Sequence, residues 1–276
     1  MEQLTGQIRG IRVGWSEGGD PEGGPLVLLH GFTGSSDVWG SFEQVLGGCR
    51  LIMPDLTGHG RTDSPADPGR YGMEEQIADL DALFDAIGLD RFSLLGYSMG
   101  GRVAIGYAAA RQERVRRLIL ESTSPGLLLE EERQKRRDSD KNLAAFILRE
   151  GIPAFTDYWE GIPLFESQLG LPAARRREVR EGRLCNRPEG LAGSLLGIGT
   201  GSQPSYWEEL HGLSMPVTLI TGSLDGKYAA IASRMLKALP DARHAEVEGA
   251  GHAVHVENPE RFATIVKEAI NEGGQP

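Results

Sequence analysis

The chain has 276 residues, 39% of them hydrophobic and 25% charged, the profile of a globular protein that can bury a large core of its own. Asp and Glu outnumber Lys and Arg by 39 to 29, for a net charge of −10. This argues against binding nucleic acid or an anionic membrane through the overall field and leaves only local basic pockets.

In chain order, short apolar runs alternate with helical patterns. The runs are IRGIRVGW (8–15), PLVLLH (25–30), RLIMPD (50–55), RFSLLGY (91–97), RRLILES (116–122), PVTLITG (216–222) and RHAEVEG (243–249). Those at 25–30, 91–97, 116–122 and 216–222 are nearly continuous in apolar residues, as befits central strands covered on both faces. Helical periodicity falls at 73–88, 99–111, 226–239 and 259–271. Strands alternating with helices predict an α/β fold with a mostly parallel sheet. Residues 125–212 break the alternation: they are arginine-rich and helical, with no convincing strand. They read as a helical cap inserted into a core made of 1–124 and 213–276. The closing NEGGQP reads as a frayed tail.

No apolar run approaches the roughly 18 residues of a membrane span. The N-terminal MEQLTGQIRG lacks the apolar stretch of a signal peptide. The two cysteines, Cys49 and Cys185, are too few for a disulfide framework and are expected as reduced, buried thiols in a cytoplasmic protein.

Ser98 lies in the pentapeptide Gly96-Tyr97-Ser98-Met99-Gly100, between a predicted strand and a predicted helix. A turn this tight crowds out neighbouring side chains, and it projects the serine hydroxyl at the carboxyl end of the sheet, where open α/β folds place their ligands. The motif alone is weak, since a glycine-rich turn with an incidental serine would match it. Its companions strengthen it. Strand 25–30 runs into His30-Gly31-Phe32, so the Phe32 amide, with that of Met99 at the helix start, is a candidate oxyanion hole. Asp225 follows a strand in TLITGSLDGK, and His252 lies in a Gly-His turn after the last strand. In such a trio the histidine activates the serine and the aspartate fixes the histidine tautomer. His255 competes with His252 as a second nearby histidine, and His30 reads as loop support.

With HGFTGSS, PDLTGHGRTDSP, GYSMGG and GAGHAVHVENP in place, the chain resembles the α/β-hydrolase superfamily over nearly its whole length, in the order serine, acid, histidine. Thr57 departs from the proline that many members carry. That fold hosts esterases, lyases and non-catalytic receptors, so it does not name a function.

The arginines narrow the choice. Arg102 is four residues after Ser98 and shares its helix face, either near the pocket or as a surface cation. With 129–149 taken as one helix, Arg136 falls within about 20° of Leu129, Leu143 and Ile147, inside the apolar stripe. A cation on that face needs an anion, either a ligand's or a structural partner such as Asp140. Arg175, Arg176 and Arg177 read as a solvated run, and Arg183 is ambiguous on spacing. A reactive serine among arginines suits a small substrate with several carboxylates.

This combination is similar to one family in particular, the 2-succinyl-6-hydroxy-2,4-cyclohexadiene-1-carboxylate synthases of menaquinone biosynthesis. The segments that carry the resemblance are GYSMGGRVA, EERQKRRDSD, FTDYWEGIPLF, RLCNRPEGLA, QPSYWEEL, GSLDGKY and GHAVHVENP. It implies Ser98, Asp225 and His252 as a triad acting as general base, with the Phe32 and Met99 amides as oxyanion donors. It implies Arg102, Arg136 and Arg183 as carboxylate binders, with Arg133 or Arg137 as alternatives to Arg136. Tyr97 and Trp159 would line the pocket, with Tyr158 as an alternative to Trp159. The implied reaction is elimination of pyruvate, without metal or organic cofactor, by a monomer or weak homo-oligomer. Two other readings use the same residues: a carboxylate-selective esterase or C–C hydrolase, revealed by an acyl-enzyme burst, and a non-catalytic receptor, revealed by ligand binding that survives Ser98→Ala without turnover.

Overall fold

The structure, a computed structural model, describes residues 1–271, so the tail expectation beyond Asn271 lies outside the described residues. The elements are β1 (Glu2–Ile8), β2 (Ile11–Gly19), β3 (Gly24–Leu29), β4 (Cys49–Pro54), α1 (Met73–Ala86), β5 (Phe92–Tyr97), α2 (Met99–Ala110) and β6 (Val115–Glu121). Then come α3 (Glu130–Glu160), α4 (Ala173–Leu184), α5 (Pro188–Ile198), β7 (Val217–Gly222), α6 (Gly226–Ala238), β8 (Ala242–Val247), α7 (Val254–Glu257) and α8 (Pro259–Asn271). The strands form one sheet in the order β1-β2-β4-β3-β5-β6-β7-β8. β2 is antiparallel to β1 and β4, and the remaining pairs are parallel.

The central strands are apolar on both sides because both sides are covered. In β3, Val27 and Leu29 pack with Phe84 and Val103 on one face, while Leu26 and Leu28 pack with Trp39 and Phe262 on the other. A period of two that feeds two cores leaves no polar alternation to see. The N-terminus differs from the expected single strand at 8–15. The chain folds back at Arg9 and Gly10, both at positive φ (46° and 84°), and pairs Glu2–Ile8 against Ile11–Glu17 as a hairpin. An Arg-Gly turn lacks the usual Asn-Gly signal, and β1 is half solvated, so neither its turn nor its pattern announced it.

Between β6 and β7 the chain is helical and has a small core of its own, in which Ile147, Ile152 and Phe155 meet Leu191 and Leu195. The helix expected over 129–149 starts at Glu130 and reaches Glu160, but breaks at Gly151, whose φ of 80° and ψ of 175° suit glycine alone. Ile147 is buried as the stripe requires, whereas Leu129 is 62% exposed because it precedes the helix. Hydrogen bonds tie cap to core: Arg187 reaches Ser64 Oγ (2.9 Å) and the Gly60 carbonyl (2.7 Å), and Asn186 donates to the Thr33 carbonyl (2.8 Å). Both cysteines are free, but only Cys49 is even half-buried. Cys185 is exposed, contrary to the expectation, because α4 turns it outward at the helix end. Among the described residues no helix is long and apolar enough to cross a membrane.

Candidate active site

β5 ends at Tyr97 and α2 begins at Met99, leaving Ser98 alone on the turn with φ 49° and ψ −106°. That conformation is strained for a residue with a side chain and must be held by its surroundings. The Ser98 amide donates to the Glu121 carbonyl of β6 (2.9 Å), and Thr123 Oγ1 donates to the Ser98 carbonyl (2.7 Å). Glycine is required at position 100 because a Cβ there would run into the Leu29 carbonyl of β3.

Ser98 Oγ lies 3.0 Å from His252 Nε2, and His252 Nδ1 lies 2.7 Å from Asp225 Oδ2. Asp225 also accepts from the Tyr228 amide at 3.2 Å, which caps α6 and fixes the carboxylate. His252 and Asp225 are buried and Ser98 is half-buried, so the hydroxyl is the accessible end of a dry relay. His255, the competing histidine, is turned away from Ser98: its Nδ1 is 2.9 Å from Glu121 and its ring packs on Tyr97. His30 supports the loop. Its Nε2 accepts from the Leu56 amide (3.0 Å), which leaves Nδ1 to donate to the Gly31 carbonyl (2.8 Å). Burial holds its pKa down, consistent with that neutral ring. Phe32 follows Gly31, where an added Cβ would lie 3.6 Å from Ser98 Cβ, and Met99 opens α2 directly after Ser98.

Each of the three arginines has an internal partner. Arg102 donates from one terminal nitrogen to Gln203 Oε1 and to the Ile198 carbonyl (2.5 Å) at the end of α5. Burial, then the Arg136 charge, pushes its pKa down to about 10, which leaves it a cation at neutral pH. Arg136 uses Nε on Asp140 (2.8 Å), the structural partner weighed above, and neither of its terminal nitrogens bonds to another described residue. Burial pulls the Asp140 pKa up against that pairing. Arg183 is only 8% exposed and donates to Glu160 (3.2 Å) and Gln168 (3.1 Å), its guanidinium 4.8 Å from the Phe165 ring centre. Arg133 and Arg137 both bond to the Gly201 carbonyl, and so are committed elsewhere. Trp159 packs on Phe32 at 5.5 Å and on Phe165 at 5.9 Å, while Tyr158 points outward and is 52% exposed. A cleft of about 320 Å³ opens between the loop after β3 and α4, lined by Phe32, Thr33, Tyr97, Phe165, Gln168 and Arg183. Arg175 also lines it, so the run at 175–177 is not solvated throughout.

The α/β-hydrolase fold family matches residues 24–259. A Salmonella agona protein named 2-succinyl-6-hydroxy-2,4-cyclohexadiene-1-carboxylate synthase is 34% identical over 87% of this chain and 91% of its own length. A Bacillus subtilis protein that carries the same name provisionally is 47% identical over 95% of both chains. This chain belongs to the 2-succinyl-6-hydroxy-2,4-cyclohexadiene-1-carboxylate synthase family. The structure of MenH from S. aureus superposes with a TM-score of 0.90 at 33% identity, covering 94% of this chain and 98% of that one. The resemblance read from the sequence and the α/β-hydrolase fold class both stand.

In this synthase-family chain several residues around the site escaped the sequence reading. Phe155 and Phe165 build the aromatic wall with Trp159, Gln203 holds Arg102, and Tyr228 packs its ring 4.6 Å from that of His252. Their only signal was membership of the segments FTDYWEGIPLF, QPSYWEEL and GSLDGKY. Among the described residues no group of three His, Cys, Asp or Glu side chains is arranged to hold a metal ion.

Proposed function

We propose that the protein is a carbon–oxygen lyase that eliminates pyruvate from 2-succinyl-5-enolpyruvyl-6-hydroxy-3-cyclohexene-1-carboxylate in menaquinone biosynthesis. Membership of the synthase family at 47% identity over 95% of the chain carries this reading. We place the reaction in the cytoplasm. Ser98 acts as the base. Its proton passes to His252 Nε2, and Oγ takes the proton from the ring carbon that bears the succinyl ketone. The amides of Phe32 and Met99 stabilise the enolate oxygen so formed. The ring double bond then shifts, the carbon–oxygen bond to the enolpyruvyl group breaks, and His252 returns a proton to the departing oxygen. Enolpyruvate released in this way tautomerises to pyruvate. Every step is a proton or electron-pair movement that the triad and the amides serve. Arg102, Arg136 and Arg183 bind the three carboxylates of the substrate with the donors their internal partners leave free, and Tyr97 and Trp159 line the ring pocket.

Pyruvate release from that substrate, generated in situ, tests the reading. Wild type is expected to release it rapidly. Ser98→Ala is expected to lose roughly 10²–10⁴-fold, the range of general-base help. Absence of release above background, with an acyl-enzyme burst on carboxylated aryl esters, would replace the lyase with a hydrolase that uses the same triad.

A further inference from the structure

His252 follows a glycine on the loop after β8, and glycine has more backbone freedom to lose than any other residue. The loop cannot exchange it for a stiffer residue, because a Cβ at Gly251 would lie 2.0 Å from Ser167 Oγ of the cap and 2.8 Å from its Cβ. The peptide that carries the histidine must therefore be fixed from outside the backbone. Glu257, the last residue of α7, is placed to do so. Its Oε2 accepts from the Gly251 amide at 2.7 Å, and its Oε1 accepts from the Ala253 amide at 3.3 Å. One carboxylate thus takes the amides on both sides of His252. Ala253 caps α7, and a glutamate in a first turn commonly reaches back to the cap amide. Gly251 stands two residues before that cap, so capping does not require the second bond, which is the shorter of the two. The next alternate amide, that of His255, is held by the buried carboxylate of Glu121 at 3.0 Å. These two amides are the hydrogen-bond partners of Glu257 among the described residues, and it forms no ion pair with any of them.

From this arrangement we infer that Glu257 is a positioning residue of the triad, whose carboxylate clamps the Gly251 and Ala253 amides and so holds the His252 ring between Asp225 and Ser98. The inference rests on the lyase reading for the step that His252 serves, but not for the geometry of the clamp. The ring has two contacts to keep at once, Nδ1 to Asp225 Oδ2 at 2.7 Å and Nε2 to Ser98 Oγ at 3.0 Å. A shift of the backbone beneath it loosens at least one, and a misplacement of about 1 Å costs on the order of 10²-fold in rate. A carboxylate is suited to the task, since it offers two acceptor oxygens and no donor to two converging N–H groups. Glutamine offers one acceptor and sets an NH₂ group against the other amide. Glu257 touches neither the reacting oxygen of Ser98 nor the arginines, so it acts through His252 on proton transfer and not on carboxylate binding. It therefore belongs in kcat and not in KM.

Glu257→Gln and Glu257→Ala, measured beside wild type, test the clamp. Steady-state pyruvate release is expected to show kcat lowered roughly 3- to 10-fold in Glu257→Gln, which keeps one amide bond of the two. In Glu257→Ala, which keeps neither, kcat should fall on the order of 10²-fold. KM should stay within about threefold of wild type in both variants. The proton on His252 Nδ1, followed by NMR in the resting enzyme, reads the clamp without substrate. It should give one downfield resonance in wild type, broadened in Glu257→Gln and lost in Glu257→Ala. A lowered melting temperature with kcat and the resonance unchanged would overturn the inference, by leaving Glu257 a helix cap alone. Equal losses of kcat in the two variants would overturn it too, by showing that the charge counts and the paired amides do not. Where Glu257→Ala does not fold, Glu257→Gln decides: kcat and resonance as in wild type would overturn the clamp. If wild type releases no pyruvate but the resonance still broadens in Glu257→Gln, the clamp holds and the lyase reading fails.

Discussion

Ser98 and Arg102 occupy one face of one helix and answer to opposite demands. Ser98 is held in a strained backbone, with its half-exposed hydroxyl against His252 Nε2. Arg102 is held by Gln203 and the last carbonyl of α5, so that its remaining edge points one way. Both contacts use one terminal nitrogen, so the rest of the planar guanidinium keeps its N–H groups, and lysine lacks that fork. Arg102→Lys is therefore expected to keep the charge and lose the alignment. KM for the enolpyruvyl substrate should rise about 10-fold while the melting temperature changes little, and a steady-state titration beside a thermal melt reads both. Arg102 was legible as a candidate from its spacing to Ser98. Its tie to α5 was not, because Ile198 is 96 residues further along the chain. The same holds for Tyr228, whose ring packs 4.6 Å from that of His252 on another loop.

At the scale of elements, the cap is a set of helices whose ends meet the core. Asn186, two residues before α5, donates to the carbonyl of Thr33, itself at φ 71°, and to the Arg183 carbonyl at 2.9 Å. A single side chain thus links the backbone at Arg183, a proposed carboxylate binder, to the loop that carries the Phe32 amide. The break at Gly151 lets α3 run from the rim of the site to its aromatic wall. No atom but Pro153 Cδ, at 3.8 Å, would lie near a Cβ at Gly151, so alanine there meets backbone strain and no clash. Gly151→Ala is expected to destabilise the protein by about 1–3 kcal/mol, measured by urea denaturation. Helical periodicity predicted the first part of α3 but ran past the break unaware, since Gly151 and Pro153 within a helix pattern look equally like a kink and an end. The hairpin of β1 and β2 was missed for a related reason: its turn works by positive φ at Arg9, which no residue preference at that position announces.

For the molecule as a whole, the acidic surface and the basic site are separate matters, and so is stability to acid. His59 is buried against His30, and burial first, with the His30 ring second, pushes its pKa down to about 3. The folded protein keeps this ring neutral while the unfolded chain protonates it near 6.5. Its contribution is therefore fully present above pH 6.5 and is lost as the pH falls from there toward 3. By pH 5 the loss from His59 is on the order of 2 kcal/mol. Urea midpoints should fall between pH 6.5 and 5 in wild type and fall less in His59→Gln; an equal fall in both would place the acid sensitivity elsewhere. The sequence by itself determined the alternation of strand and helix, the serine on its turn, the histidine and aspartate after their strands, and the arginine-rich insertion. Each of these is local, set by periodicity, turn crowding or spacing within one element. Tertiary structure alone decided which histidine faces Ser98, which of Trp159 and Tyr158 turns inward, and where Arg183 points. Those outcomes depend on contacts between residues far apart in the chain, and such contacts leave no period and no spacing to read.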